Sequence, residues 1–547
     1  MSGVRESVRV AEKVARLLAR RGLLLRKVPE TPEALMGDGG PLQCVWFKRD
    51  LRVDDHRPLA EAARRGPVLP LYIAEPAVVS APDFDALHWT FLREALSDLR
   101  GRLREHGVEL LIRVGEAVEV LEKLRRQTGY GFLWSHEETG NAITYRRDRA
   151  VAGWAREKGV CWSESPQNGV VRGLRDRDGW SRQWEARMAE QPAKPPPRIL
   201  PASNAPSPGA IPLARTLGLS PANRAPDLVG GATEAARVLD TFITGRGHRY
   251  HREMSSPNTA YSACSRLSPY FAYGCLSMRG AVRRVRAARD AENDMPKTAA
   301  RAFLSRCHWH CHFMQKLESE PALEFHCFNR ACDSLREDGN DPRRLRAWEA
   351  GETGYPFVDA CMRALKTRGW INFRMRAMLV SVAAYDLWLD WRVFKDFLAR
   401  QFIDYEPGIH ISQVQMQSGV TGINTLRVYN PVKQGCDHDP EGGFIREWVP
   451  ELRNLPAACL HEPWRLPEAG QKHAGCRLGH DYPLPVVDRK TAVSAARAAF
   501  RKLRATDAYW REAERVMRRH GSRRTAESRN RPKRPTGPAN AQSEMKL

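Results

Sequence analysis

The run TGYPFVDACMRALKTRGWINFRMRAML, from Thr353 to Leu379, sets the tightest condition on how this chain folds. Its apolar residues recur at helical spacing, so it reads as buried helix. Yet the face that looks buried also carries Asn372, Arg374 and Arg376. An unpaired buried charge costs several kcal/mol, comparable to a domain's whole net stability, so these arginines need anionic partners. Asp404 and Glu406, in FIDYEPGIH, are the candidates. A cationic helix facing a short acidic segment implies a polar cofactor pocket inside an apolar helical domain.

The rest of the chain divides by pattern. LQCVWF, PVLPLYIA, ELLIRVG and GFLWSHE are short apolar runs of the kind found in buried parallel strands, with helical segments between them. Residues 41–170 therefore read as a doubly wound, Rossmann-like parallel α/β domain, with any ligand beyond the strand C-terminal ends. Residues 192–229 hold ten prolines. That composition is expected not to pack, so residues 171–231 read as an inter-domain linker. Patterning from 232 to 465 is helical, an all-α domain large enough to enclose a cofactor. Residues 466–520 add C-terminal helices, and 521–547 form a basic tail expected to be disordered.

Lys plus Arg is 87 and Asp plus Glu is 64, giving a net charge of +23, which favours a polyanionic partner. Twelve cysteines without a CxxC pair point to a reduced, cytoplasmic setting. No apolar run reaches the length of a membrane span. Residues 1–40 form a basic extension. Its amphipathic stretch carries Glu6 and Glu12, which argues against a signal peptide, and Met36 offers an alternative start.

Several motifs, in order along the chain, resemble the photolyase/cryptochrome family: CVWFKRDLRVDDHRPLAEAA (Cys44 to Ala63), CSRLSPYFAYGCLS (Cys264 to Ser277), the Thr353–Leu379 run, and RVYNPVKQ with FIREWVPEL (Arg427 to Leu452). The resemblance implies an antenna-type α/β domain followed by an all-α domain binding FAD non-covalently. SACSRLS would be the diphosphate loop, contributing Cys264, Ser265, Arg266, Leu267 and Ser268, with Cys264 where the family usually has Thr. Tyr250, Phe303 and His310 would also border the cofactor. Arg376 and Asp404 resemble the ion pair beside the flavin ring. Glu406 stands where Asp is common, and His410 takes the position that resembles the residue facing flavin N5, where a histidine is expected to hold or donate a proton near physiological pH.

By the same resemblance, the helix Arg301–Glu318 lines a lesion pocket in which Trp309 stacks on a flipped pyrimidine dimer, with Arg374 and Met416 among the DNA contacts. Arg306 replaces a Glu, Phe373 an Asn and His310 an Arg. CHWHCH (Cys307 to His312) invites a metal reading, but its two i,i+4 pairs point about 100° apart and no second pair is evident, so no metal is expected. Trp391 resembles the middle of the family's three-tryptophan relay, whose proximal position is Val414 and whose distal one lies near Asp338. Trp388 and Trp391, taken as i,i+3 on one helix, are expected to offer another electron route with Tyr385 and Tyr405. The antenna wall, Ser135 to Asp148, has Ile143 and Thr144 where folate-binding members carry Asn and Glu, leaving any second chromophore unidentified. The resemblance implies light-driven repair of cyclobutane pyrimidine dimers in UV-damaged DNA by a monomer. A cryptochrome-like photoreceptor and (6-4) photoproduct repair stand as alternatives.

Overall fold

The computed structural model describes residues 40–220, 227–291 and 295–521. Expectations for residues 1–35 and for the basic tail lie outside the described residues. Five parallel strands, β1 (Gln43–Phe47), β2 (Val68–Ala74), β3 (Leu111–Val114), β4 (Phe132–His136) and β5 (Cys161–Ser165), form a sheet of order β3-β2-β1-β4-β5. β1 is fully buried because both faces of the sheet are covered. On one face Cys44, Trp46, Leu69 and Leu71 meet the helices Ala117–Thr128 and Ala142–Glu157. On the other, Val45, Phe47 and Tyr72 meet the helix Ala86–Glu105.

That second core does not stop at the expected domain boundary. It continues through Phe242, Tyr270 and Tyr273 to Phe303, Cys307 and Cys311. Gly274 marks a close seam, since at φ +65° a Cβ there would lie 2.2 Å from the Arg49 carbonyl oxygen. Arg52 then donates to the Gly274 carbonyl at 2.9 Å.

The proline-rich segment departs from expectation by packing. Ile199 is fully buried, and the Leu200 and Pro208 carbonyls accept from Val68 and Ile112 backbone N–H groups at 2.8 and 2.7 Å. Proline lacks a donor but keeps its carbonyl, so an extended Pro-rich strip can cover the edge strand β3 without exposing unpaired donors of its own.

The remaining helices that matter for the site are α1 (Lys297–Ser319), α2 (Pro356–Arg368), α3 (Phe373–Ser381), α4 (Trp391–Gln401) and α5 (Pro407–Gln417). A separate apolar core joins α2 through α5. α5 presses against α1 at Gly408, where a Cβ would sit 2.7 Å from Met314 Cα. Two C-terminal helices, α6 (Arg489–Arg504) and α7 (Asp507–His520), dock through Phe500 on Tyr385 and through buried His520 on Glu320 at 2.7 Å. Among the described residues, no helix is long and apolar enough to cross a membrane.

Candidate flavin and lesion site

The Arg376 guanidinium answers the charge question posed by the sequence. Its two terminal nitrogens donate to Asp404 Oδ1 and Oδ2 at 2.9 Å each, its Nε donates to the Ile371 carbonyl at 2.7 Å, and Phe402 lies 4.2 Å beneath it. Burial alone would raise the Asp404 carboxyl, but Arg376 and a Ser268 hydrogen bond hold it below its ordinary range. Asn372 does not cap α3. Its amide donates to the Met254 and Ser255 carbonyls at 3.1 and 2.9 Å, tying α3 to the segment that follows Tyr250.

Arg376, Asp404, Glu406, His410, Phe373 and Val414 share the wall of one cavity, with about 550 Å³ of non-atom space partly open to solvent. Glu406 Oε2 lies 3.6 Å from Arg49, which reaches across from the α/β domain and also donates to the Ala272 and Tyr405 carbonyls. Glu406 Oε1 is buried with no protein partner, and burial pushes this carboxyl up to about 7. His410 Nε2 donates to the Lys395 carbonyl at 2.8 Å, and burial pushes the ring down to about 4. This corrects the expectation of a proton exchanged near physiological pH. The imidazole is neutral there, and Nδ1 is left as an acceptor.

The loop before Ser268 is held by a residue that the sequence reading passed over. Arg246 donates to the carbonyls of Ser262, Cys264 and Ser265 at 3.0, 2.6 and 3.2 Å. Arg266 adopts φ +58°, and its guanidinium lies 3.9 Å from the Tyr261 ring and 4.4 Å from that of Trp370. Ser265 Oγ accepts from the Leu267 N–H at 3.4 Å. The Cys264 thiol is buried and pushed up to about 12, so it stays neutral. Unpartnered buried atoms surround these elements: Arg266 Nε and Nη2, His310 Nδ1, Asn372 Oδ1 and Glu406 Oε1. Native interiors rarely leave such groups unpaired, and a ligand with a polar ring edge and a diphosphate has the matching donors and acceptors. The residues therefore fit FAD.

At the positions expected to meet a lesion, Arg306 lies beside Tyr250 and 5.9 Å from the Phe373 ring. Phe373 itself is 39% exposed. Trp309 stands one turn further along α1, stacked on Phe313 at 5.6 Å and edge-on to His312 at 4.8 Å. Phe303 is buried against Phe242, and Arg374 Nε has no protein partner. Met416 is half-buried on α5 and is not part of the cavity wall.

The side chains of CHWHCH on α1 have packing partners, and the reading of Trp388 and Trp391 changes. Cys307 and Cys311 are core residues, His308 packs on Trp180 and Trp184, and His312 Nδ1 meets Arg177, so CHWHCH serves packing. Trp388 and Trp391 do not share a helix. The preceding helix ends at Asp386, Trp388 takes a left-handed φ of +57°, and Asp390 caps a new helix that begins at Trp391. Trp388 consequently faces Phe500 and Arg336, whereas Trp391 is fully buried with Nε1 donating to Cys327 Sγ at 3.4 Å. Neither ring lines the cavity.

A second cavity, about 860 Å³ of non-atom space, opens beyond the C-terminal ends of β1 and β2, near the switch point where strand order reverses. Arg147 spans its floor, donating to Glu75 at 2.7 Å and Glu138 at 2.5 Å while pairing with Asp148 at 2.9 Å. Ile143 and Thr144 line it. Nearby, Asp50 Oδ2 accepts from His56 and His136 at 2.9 and 2.8 Å. These three could be mistaken for metal ligands. His56 Nδ1 already accepts from the Leu59 N–H, however, and so caps a helix.

A family model described as the FAD binding domain of DNA photolyase matches residues 303–502, and one described as DNA photolyase matches residues 43–173. A cryptochrome DASH of Natronomonas pharaonis is 31% identical over 470 residues, covering 81% of this chain and 97% of its own length. A deoxyribodipyrimidine photo-lyase of Halobacterium salinarum is 30% identical, covering 85% and 99%. A solved class III photolyase of Agrobacterium tumefaciens superimposes with a TM-score of 0.75 at 27% identity, covering 87% of this chain and all of its own. An archaeal photolyase of Sulfolobus tokodaii, described with two FAD molecules, shares the fold at a TM-score of 0.69 and 24% identity.

Proposed function

Since this chain belongs to the photolyase/cryptochrome family, we propose that it is a light-driven, FAD-dependent photolyase that reverses cyclobutane pyrimidine dimers in UV-damaged DNA. The observation that carries this reading is the cavity bounded by the Arg376–Asp404 pair and by the unpaired Glu406 oxygen. Bound FAD supplies light absorption and electron transfer. The chain's own residues bind, orient and compensate charge. Arg376, kept oriented by Asp404, stabilises negative charge beside it. Glu406 Oε1 accepts a hydrogen bond, and neutral His410 offers Nδ1 rather than a proton. The Arg306 guanidinium is positioned to donate to a thymine carbonyl, and Trp309 gives a stacking surface worth about 1–3 kcal/mol per base. No general acid–base pair is required. The +23 charge supports binding to the phosphates that flank a lesion. On this reading the protein works in the cytoplasm as a monomer, with a second chromophore in the cavity beyond β1 and β2.

A cryptochrome-like photoreceptor is the second reading, favoured by Arg306 and Phe373 at two polar positions of the lesion pocket. Binding in the dark separates the two. A photolyase prefers an oligonucleotide carrying one thymine dimer over its undamaged copy by at least tenfold, and Trp309→Ala erases the preference. Equal affinity for both strands would favour the photoreceptor.

A further inference from the structure

The flavin-type cavity and the cavity at the sheet end share one side chain, Tyr405. Among the described residues lining the flavin-type cavity, Tyr405 is the only Tyr, Trp, Cys or Met, and so the only readily oxidised side chain. Its aromatic companions there, Phe373 and Phe402, are poor electron donors. Val414 adds only an aliphatic side chain to the wall, and Trp391 lies in the apolar core with its N–H on Cys327.

Tyr405 is also equipped to lose an electron. An oxidised phenol is strongly acidic, so the electron leaves readily only where a base takes the proton. The Tyr405 hydroxyl donates to Asp83 Oδ2 at 2.6 Å, within the range of a charge-assisted bond. Asp83 is itself fixed by Asn141, which donates to the same oxygen at 3.0 Å. The Tyr405 ring meets the His410 edge at 5.3 Å on one side and stacks with His88 at 6.1 Å on the other. Burial and Asp83 hold the phenol protonated well above its ordinary range, so it does not ionise before it is oxidised.

We propose that Tyr405 is the electron donor that reduces a light-excited, oxidised flavin in this cavity, with Asp83 as proton acceptor. One electron passes from the phenol to the flavin while the phenolic proton moves to the Asp83 carboxylate, leaving a neutral tyrosyl radical. A thiol in the medium then returns a hydrogen atom to the phenoxyl oxygen, the thiyl radicals left behind pair to a disulfide, and Asp83 releases its proton to water. The inference rests on the cavity being the flavin site.

The test uses purified full-length protein with its flavin oxidised, blue light and an added thiol. Photoreduction is followed by absorbance and radicals by time-resolved EPR, with and without ring-deuterated tyrosine. Wild type should give a radical whose hyperfine pattern collapses on deuteration. Tyr405→Phe should keep stoichiometric FAD, lose that radical and photoreduce at least tenfold more slowly. Asp83→Asn should lower the radical yield several-fold, and Trp391→Phe should photoreduce at the wild-type rate. Wild-type photoreduction in flavin-loaded Tyr405→Phe, or its loss in Trp391→Phe, would overturn the proposal. If Tyr405→Phe emerges without flavin, the wild-type EPR decides, and absence of a tyrosyl radical there overturns it. Wild-type protein that binds no FAD at all sinks the underlying site assignment instead.

Discussion

Two buried polar clusters, one at the end of β1 and one around α3 and α5, behave in opposite ways. At Asp50 both carboxylate oxygens are answered within the chain. Oδ1 accepts from the Lys48 N–H at 2.7 Å, Oδ2 accepts from His56 and His136, and His56 caps its helix. Around Glu406 the accounts stay open, with unpartnered atoms on Glu406, His310, Asn372 and Arg266. A closed network fixes a loop. An open one is costly until something from outside the chain completes it. The contrast supports the proposed flavin site where cavity size does not, because the larger of the two cavities is the one at the sheet end.

The largest effect should come from breaking the ion pair that frames the open cluster. Asp404→Ala leaves the Arg376 charge without its partner and should cost about 3–5 kcal/mol. Flavin retained per folded molecule should fall at least tenfold, as measured by absorbance after purification. Full flavin content would remove Asp404 from the site.

Asp50→Ala is the counterpart in the closed cluster. It strands several buried donors and should destabilise by roughly 3 kcal/mol in denaturant titration while leaving flavin per folded molecule unchanged. The pH dependence has a defined sign. Burial pushes His136 to about 3, so it stays neutral in the fold, whereas the unfolded chain protonates it below about 6.5. The unfolded state then binds more protons, and stability should fall as pH drops from 6.5 towards 3. Loss of flavin in Asp50→Ala would mean that the two clusters are not independent.

Glu406 gives the opposite slope. Its carboxyl is raised to about 7, so between its ordinary range and 7 the folded protein binds the extra proton, and stability falls as pH rises through that window. Glu406→Gln should stabilise flavin-free protein by about 1–3 kcal/mol at pH 8, with the gain vanishing near pH 4. A gain that persists at pH 4 would assign the effect to packing. Last in size, Arg306→Ala should weaken dark binding of a dimer-containing oligonucleotide about threefold to tenfold without changing flavin content. No change would place Arg306 outside the lesion contact.

The sequence made some of this legible and not the rest. Arg376 and Asp404 were readable together because two charges in apolar surroundings require each other, whatever the fold. Arg49 and Arg246 were not, because their partners are chiefly backbone carbonyls, which carry no residue signature. The parallel sheet followed from its apolar runs, but the Pro-rich strip along its edge did not, since composition hides where a proline's carbonyl points. The helix break between Trp388 and Trp391 carries no glycine at the left-handed position to announce it. The charge state of His410 depends on burial, which spacing alone does not reveal.

The most direct measurement is dimer reversal itself. Wild-type protein with its flavin chemically reduced is mixed with an oligonucleotide carrying one thymine dimer, illuminated or kept dark, and the strands are separated chromatographically. Intact thymines should accumulate under light over many turnovers and not at all in the dark. Equal amounts in both, with the flavin verified as bound and reduced, would contradict the account and leave the photoreceptor reading in its place.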